Sequence, residues 1–96
     1  MQPSKIVEQH RHLIRDTTAR FGFSNPRVLG SALRATGDAG SDLDLLVDPP
    51  PGATLFNLGG LQEELQSLIG LRVDLLTPAD LPLTVRTKVL AEAQPL

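Results

Sequence analysis

The feature that most limits how this chain folds is the apolar run LDLLV at residues 43–47, in which Asp44 is the one polar residue. The run is far too short to span a bilayer, which needs about 20 apolar residues. Asp48 and the three prolines of residues 49–51 follow it directly. Because proline has no N–H to donate to a sheet, it ends a strand. The run therefore predicts a short buried strand with a defined end.

The spacing of apolar residues elsewhere predicts helices and two more strands around this one. Helices are predicted from the N-cap Ser4 to near Gly22, over residues 58–69 with Gly70 closing the helix, and from Pro82 onward. Strands are predicted at residues 27–30 and 71–77. A helical turn is predicted at residues 31–35 and a loop at residues 36–41. We therefore expect an α+β fold with a small mixed sheet of about three strands and helices packed on one face. The other face, or the strand ends, is left to form a site.

Length and composition exclude several classes of protein. The 96 residues predict a single domain, residues 1–96. Cysteine is absent, which excludes disulfides and thiolate zinc sites. A net charge of −2 and only three aromatic residues argue against direct nucleic-acid binding, which relies on a basic face or on stacking aromatics. The N-terminal segment has no apolar stretch of signal-peptide length and no membrane span follows, so we expect a cytoplasmic protein.

Two aspartates at the start of the buried strand are the first candidates for chemistry. Asp42 and Asp44 point to the same side because strand side chains alternate, and they lie about 7 Å apart along the backbone. Alternating acids also occur on ordinary surface strands. On a buried strand, however, two like charges repel unless a cation joins them, and Mg²⁺ favours one or two carboxylates together with substrate phosphates. Asp42 and Asp44 are therefore predicted metal ligands.

A second group of residues, upstream of the aspartates, suits phosphate binding. Gly30 lets the backbone come close to a ligand because it has no Cβ. Ser31 opens the predicted helical turn and offers its hydroxyl and nearby N–H groups to a phosphate. Arg34 lies on the same helical edge as Ser31, and its planar guanidinium suits a polyphosphate. Gly30, Ser31 and Arg34 are therefore predicted to bind the phosphates of a ligand.

Asp74, inside the predicted strand at residues 71–77, is a third candidate carboxylate. A charge among aliphatic neighbours is costly unless it is paired or ligates a metal. If its strand lies beside residues 43–47, Asp74 joins Asp42 and Asp44, where it would share a metal or accept a proton from an attacking hydroxyl. Asp48, next to the prolines, is interpreted instead as a structural residue of a turn or strand end.

The segment GSALRATGDAGSDLDLLVD resembles the signature of the DNA polymerase β-like nucleotidyltransferase superfamily, a Gly-Ser pair followed after ten residues by Asp-x-Asp. More narrowly, residues 25–96 resemble the minimal nucleotidyltransferases that act as antitoxins to HEPN-type ribonuclease toxins, including the stretches LFNLGGLQEEL, RVDLLTPADLP and KVLAEAQPL. By position, the resemblance assigns phosphate binding to Gly30 and Ser31 and the metal and catalytic carboxylates to Asp42, Asp44 and Asp74.

This resemblance implies Mg²⁺-dependent transfer of AMP from ATP to a hydroxyl, a tyrosine in that family, on a HEPN toxin that is thereby neutralised. One position departs from the family, which usually has glycine where this chain has Ala35. Ala35 and the small size keep open a non-catalytic antitoxin that inhibits its partner by binding alone. A third interpretation is a small-molecule nucleotidyltransferase. The lack of room for a substrate domain counts against it. We expect the partner to face the aspartates, with contacts from residues 49–57 or the last helix.

Overall fold

The computed structural model describes residues 3–29 and 42–96. The elements in these ranges are α1 (Pro3–Arg20), β1 (Ser24–Val28), β2 (Leu43–Asp48), α2 (Leu55–Ile69), β3 (Val73–Leu76), a 3₁₀ turn (Pro78–Asp80), α3 (Leu83–Glu92) and β4 (Gln94–Pro95). The predicted helical turn at residues 31–35 and the loop at residues 36–41 lie outside the described residues. None of the helices in the described ranges combines the length and the apolar character needed to cross a bilayer.

The described strands form one mixed sheet in the order β3-β2-β1-β4. β2 pairs in parallel with β3 and antiparallel with β1, and β4 pairs antiparallel with β1. The apolar run at residues 43–47 is thus an inner strand, as its burial requires. The expected count of about three strands missed β4, because two residues ending in a proline carry no alternation to recognise. Proline is tolerated there because β4 is at the sheet edge.

β1 begins at Ser24 and not at residue 27 as predicted. Its register against β2 shifts between Ser24 and Arg27. Between them Asn25 has a φ of 53°, in the left-handed region that asparagine occupies more readily than most residues. The Ser24-Asn25-Pro26 stretch therefore forms a bulge at the start of β1, which the sequence pattern alone shows as an interruption.

α2 also starts earlier than predicted, at Leu55, and ends where predicted. Thr54 and Asn57 form a reciprocal cap in which Thr54 Oγ1 accepts from the Asn57 N–H at 3.2 Å and Asn57 Oδ1 accepts from the Thr54 N–H at 2.9 Å. Gly70 ends the helix with a φ of 81°, and its N–H donates to Gln66 O at 2.8 Å. The start was missed because Leu55 and its neighbour Phe56 are exposed and do not belong to the buried leucine stripe.

Helices cover both faces of the sheet, which corrects the expectation that they pack on one face. The larger core lies on the first face of β2, against α1 and α2, and includes Leu43, Leu45, Val47, Ile14, Leu61 and Leu65. A smaller core lies on the second face, where Leu46 packs with Leu29, Leu81 and Val89 of α3. The reason is in the sequence Leu45-Leu46-Val47: a strand with consecutive apolar residues is apolar on both faces, and both need cover.

Candidate active site

The structure places Asp44 and Asp74 side by side on neighbouring strands. The parallel pairing of β2 with β3 sets Asp44 directly opposite Asp74, and neighbouring strands lie about 4.8 Å apart. Residues opposite each other in a sheet project to the same face. The condition set for Asp74 from the sequence, that its strand lies beside residues 43–47, is therefore met.

Both carboxylates lie on the second face of the sheet. Leu43 and Leu45 on either side of Asp44 belong to the larger core, so alternation turns Asp44 away from α1 and α2. Asp44 is 3% exposed and Asp74 is half-buried. Two carboxylates side by side on one face of a sheet supply the oxygen ligands that a hard divalent cation takes.

Asp42 lies just before β2 and is hydrogen-bonded to the backbone of Arg72, which lies just before β3. The Arg72 N–H donates to Asp42 Oδ2 at 3.0 Å, and the Asp42 N–H donates to Arg72 O at 2.8 Å. A hydrogen bond to a carboxylate is stronger than one between neutral groups. This two-way contact fixes the Asp42 side chain at the end of the sheet where β2 and β3 both begin. Asp42 itself is exposed.

Three of the predicted site residues, Gly30, Ser31 and Arg34, lie outside the described residues. Of the described residues that flank them, the Leu29 N–H donates to Asp44 O at 3.0 Å, and Asp42 directly precedes β2.

The donor set fits a hard divalent cation. Asp42, Asp44 and Asp74 offer only carboxylate oxygens, the ligands that Mg²⁺ takes. Among the described residues no three His, Cys, Asp or Glu side chains form a ready-made metal site. Mg²⁺ usually keeps several waters and is completed by substrate phosphates, so one or two protein carboxylates suffice. The residues present therefore suit a metal bound together with a nucleotide.

Asp48 has the structural surroundings predicted for it. Arg27 Nη2 lies 2.7 Å from Asp48 Oδ1, and Asn25 Nδ2 donates to Asp48 Oδ2 at 3.2 Å. These contacts join the end of β2 to the bulged start of β1. Asp48 is on the same strand as Asp44 but at its opposite end, where it ties two strands together.

Two residues near the site were missed from the sequence, Gln62 and Gln66 of α2. Gln66 Oε1 accepts from the Val73 N–H at 3.0 Å, and Gln62 Oε1 accepts from the Leu75 N–H at 2.9 Å. The available signal was their spacing of four residues, each directly after a buried leucine of the helix stripe. Such glutamines lie at the border of the helix's apolar face, where they reach a neighbouring strand edge.

Three exposed apolar residues lie in the first turns of α2 and α3 and are here called the apolar end: Leu55, Phe56 and Leu83, which are 82%, 88% and 79% exposed, respectively. Leu55 borders a shallow pocket of ≈ 160 Å³ beside the ends of β2 and β3, lined also by Phe23, Pro49, Ala53, Thr54, Leu58, Thr77 and Asp80. The strand rise of about 3.3 Å per residue puts this end some 13 Å from Asp44. The pocket is therefore separate from the aspartates.

Comparison with known proteins identifies the kind of domain that this geometry belongs to. Residues 26–96 match the family model described as a nucleotidyltransferase domain. The chain is 36% identical over 87 residues to the protein adenylyltransferase MntA of Thermococcus cleftensis, with 91% of this chain and 85% of the relative covered. A relative in Methanocaldococcus jannaschii, provisionally named a protein adenylyltransferase, is 31% identical over 74 residues, with 77% and 80% covered.

Solved structures agree with the fold. One, provisionally described as a minimal nucleotidyltransferase, has a TM-score of 0.78 and 36% identity over 99% of this chain and 97% of that chain. A second, a toxin–antitoxin complex with AMP-PNP, has a TM-score of 0.55 and 19% identity, covering 99% of this chain and 72% of that chain. The predicted α+β nucleotidyltransferase fold is confirmed, with four described strands where about three were expected.

Proposed function

This chain belongs to the nucleotidyltransferase domain family and is a nucleotidyltransferase, and from that membership we propose that it transfers AMP from ATP to a hydroxyl of a partner protein in a Mg²⁺-dependent reaction. The observation that carries the proposal is the pairing of buried Asp44 with Asp74 across two parallel strands. Carboxylates set side by side on neighbouring strands are suited to holding a divalent cation against substrate phosphates, which supports metal-assisted transfer.

The proposed reaction is an in-line displacement at the α-phosphorus of ATP. The acceptor oxygen forms a bond to the α-phosphorus, the bond from that phosphorus to the bridging oxygen breaks, and pyrophosphate leaves. The hydroxyl proton passes to Asp74, which lies beside Asp44 and is half-buried. Asp42 and Asp44, with Asp74 beside them, would hold Mg²⁺, which when bound neutralises charge on the phosphates.

Gly30, Ser31 and Arg34 are proposed to hold the polyphosphate. What supports this is the position of Leu29, the described residue directly before Gly30, whose N–H donates to the backbone of Asp44. Phosphate-binding groups must lie close to the metal ligands, because the cation bridges protein carboxylates and phosphate oxygens. Substitution of Ser31 by alanine is therefore expected to raise the KM for ATP more than it lowers the melting temperature.

The acceptor is proposed to be a tyrosine of a HEPN-type toxin, with this chain as the antitoxin. The 96 residues contain no tyrosine, so a tyrosine acceptor lies outside them. The relative from Thermococcus cleftensis is named a protein adenylyltransferase, which supports a protein acceptor. A structural neighbour of the same fold is a toxin–antitoxin complex with AMP-PNP, which supports a toxin as the partner and an adenine nucleotide as the donor.

The test is the intact mass of the partner protein after incubation with this chain, ATP and Mg²⁺. We expect the partner to gain the mass of one or more AMP groups and to stay inactive after the two proteins are separated. The matched control is Asp44→Ala, which should leave the partner unmodified. Because this chain has no tyrosine, a tyrosine-linked AMP can be assigned to the partner without ambiguity.

Ala35 favours a second candidate, an antitoxin that acts by binding alone. The related family usually has glycine at this position, and a Cβ restricts the backbone where glycine does not. In that case the partner would keep its mass and recover its activity on separation. Ala35→Gly then distinguishes a weakened enzyme from a non-catalytic module, since only a weakened enzyme would gain transfer activity.

A further inference from the structure

β3 is an outer strand of the described sheet, yet its outward backbone donors are satisfied. The sheet order leaves one side of β3 without a neighbouring strand. The Val73 N–H donates instead to Gln66 Oε1 at 3.0 Å and the Leu75 N–H to Gln62 Oε1 at 2.9 Å. Two side chains of α2 thus take the place that a further strand would occupy.

The spacing of the two glutamines matches the spacing of the two amides. Residues four apart on a helix are displaced by about 6 Å along its axis. Residues two apart on a strand are displaced by about 6.6 Å. Gln62 and Gln66 therefore reach Val73 and Leu75 at once, so that the helix holds β3 at two points and limits its sliding or tilting.

These two points lie on either side of Asp74. The hydrogen-bonded amides belong to the residues immediately before and after it, and Asp74 is the β3 residue paired with Asp44. Any shift of β3 along α2 would carry the Asp74 carboxylate away from its position beside Asp44. A displacement of about 1 Å at a reacting group is enough to cost a large factor in rate.

We infer that Gln62 and Gln66 are positioning residues, which fix the Asp74 carboxylate beside Asp44 by clamping β3 to α2. The inference rests on the proposed function for the consequence in turnover, but the clamp also governs cation binding by the paired carboxylates. Edge protection would use these same two amides, so the tests below are chosen to separate it from positioning of Asp74, the one charged residue of the strand.

The test compares Gln62→Met/Gln66→Met with the wild-type chain. Methionine keeps the length of the side chain and removes the acceptor oxygen. At saturating Mg²⁺ we expect kcat for AMP transfer to fall about 10-fold with the KM for ATP changed less than about 2-fold, because excess cation offsets its weaker binding and Asp74 acts on the acceptor hydroxyl. Gln66→Glu, which keeps an acceptor oxygen, should restore the rate lost in Gln66→Met. Gln9→Met, at an exposed position of α1, is the matched control and should behave as wild type.

Two further measurements make the outcome decisive. Amide hydrogen exchange should be faster at Val73 and Leu75 in the double methionine variant and unchanged at Leu45 in the inner strand. Mn²⁺ affinity, measured from the electron paramagnetic resonance of free Mn²⁺, should fall in the same variant. Faster exchange with unchanged kcat and Mn²⁺ affinity would overturn the inference and leave the glutamines as edge protection. So would a loss of kcat no larger than the loss of folded protein.

The Mn²⁺ measurement also separates this inference from the proposed function. If the wild-type chain transfers no AMP, the proposed function fails. The clamp is then tested by Mn²⁺ affinity alone: a weaker affinity in the double methionine variant than in the wild-type chain supports it, and an equal affinity overturns it. If the double variant does not fold, Gln62→Met and Gln66→Met are compared singly, each with its glutamate counterpart.

Discussion

The two ends of β2 and β3 differ in what they expose and in how they are held. At the ends where both strands begin, Asp44 and Asp74 are paired by the sheet register, and Asp42 is tied to the Arg72 backbone. After the ends where the strands finish, the first turns of α2 and α3 present Leu55, Phe56 and Leu83 to solvent. We refer to the first region, Asp42, Asp44 and Asp74, as the acidic end.

The difference shows how a small domain places its reacting groups and its exposed apolar contact residues in different regions. The acidic end is carried by the inner strand β2, which is paired on both sides, and by the outer strand β3, which pairs with β2 on one side and is held by α2 on the other. The apolar end is carried by the first turns of α2 and α3. Rigid strands suit groups that must hold a reacting atom, whereas exposed apolar residues suit a surface that another molecule covers.

The largest expected effect is at the acidic end. Asp44→Ala should lower AMP transfer by about 10³-fold or more, as the loss of a group that stabilises charge in the transition state does. Its melting temperature should be equal or higher, because the repulsion between adjacent carboxylates is relieved. Steady-state kinetics and calorimetry check both expectations. Asp42→Ala should behave in the same direction, and a double alanine variant that still transfers AMP would remove these residues from the site.

Asp74→Asn is expected to have the next largest effect. Asparagine keeps the shape and some hydrogen bonding but cannot accept the proton, so kcat should fall about 10²-fold, as for the loss of a general base. Stability should change little. If Asp74 is instead a structural residue, the loss appears in the melting temperature while turnover stays normal. Kinetics and thermal denaturation on the same preparation distinguish the two.

Much of the acidic end could be predicted from the sequence because it depends on local pattern. The apolar run broken only by Asp44, and the same pattern around Asp74, show two strands each with one charged residue on a fixed side. That Asp44 and Asp74 lie directly opposite each other could not be predicted from the sequence. The register that sets Asp44 opposite Asp74 depends on how two strands separated by α2 pack together, and a shift of one residue would have turned Asp74 to the other face.

Other parts of the fold depended on contacts that no local pattern encodes. The cover of the second face by α3 follows from Leu46 packing with Val89, residues far apart in the chain. The clamp by Gln62 and Gln66 likewise appears only when α2 lies beside β3. The exposed first turn of α2 was missed for the opposite reason, since Leu55 packs against too little to follow the leucine stripe.

A smaller effect is expected at the apolar end, and it falls on partner binding. Leu55→Ser with Phe56→Ser should weaken affinity for the partner by about 10-fold, since truncation of buried interface anchors costs on this scale. The KM for ATP should be unchanged because the aspartates lie at the other end of the strands. Titration calorimetry with the partner and ATP kinetics test this. Normal partner affinity would show that the partner covers only the acidic end.

The smallest expected effect comes from Asp48, which shares a strand and a face with Asp44 and so is the closest internal control. Its carboxylate is 39% exposed and pairs with Arg27, whose side chain is 12% exposed. Partly exposed ion pairs contribute little after solvent screening, so Asp48→Asn should cost ~0.5–1 kcal/mol of the free energy of unfolding. Transfer of AMP should stay within about 2-fold of wild type, since Asp48 lies about 13 Å along the strand from Asp44. Denaturant titration measures the free energy of unfolding, and steady-state kinetics measures the rate of AMP transfer. If Asp48→Asn lowered transfer as Asp44→Ala does, the division between a chemical and a structural end of β2 would be wrong.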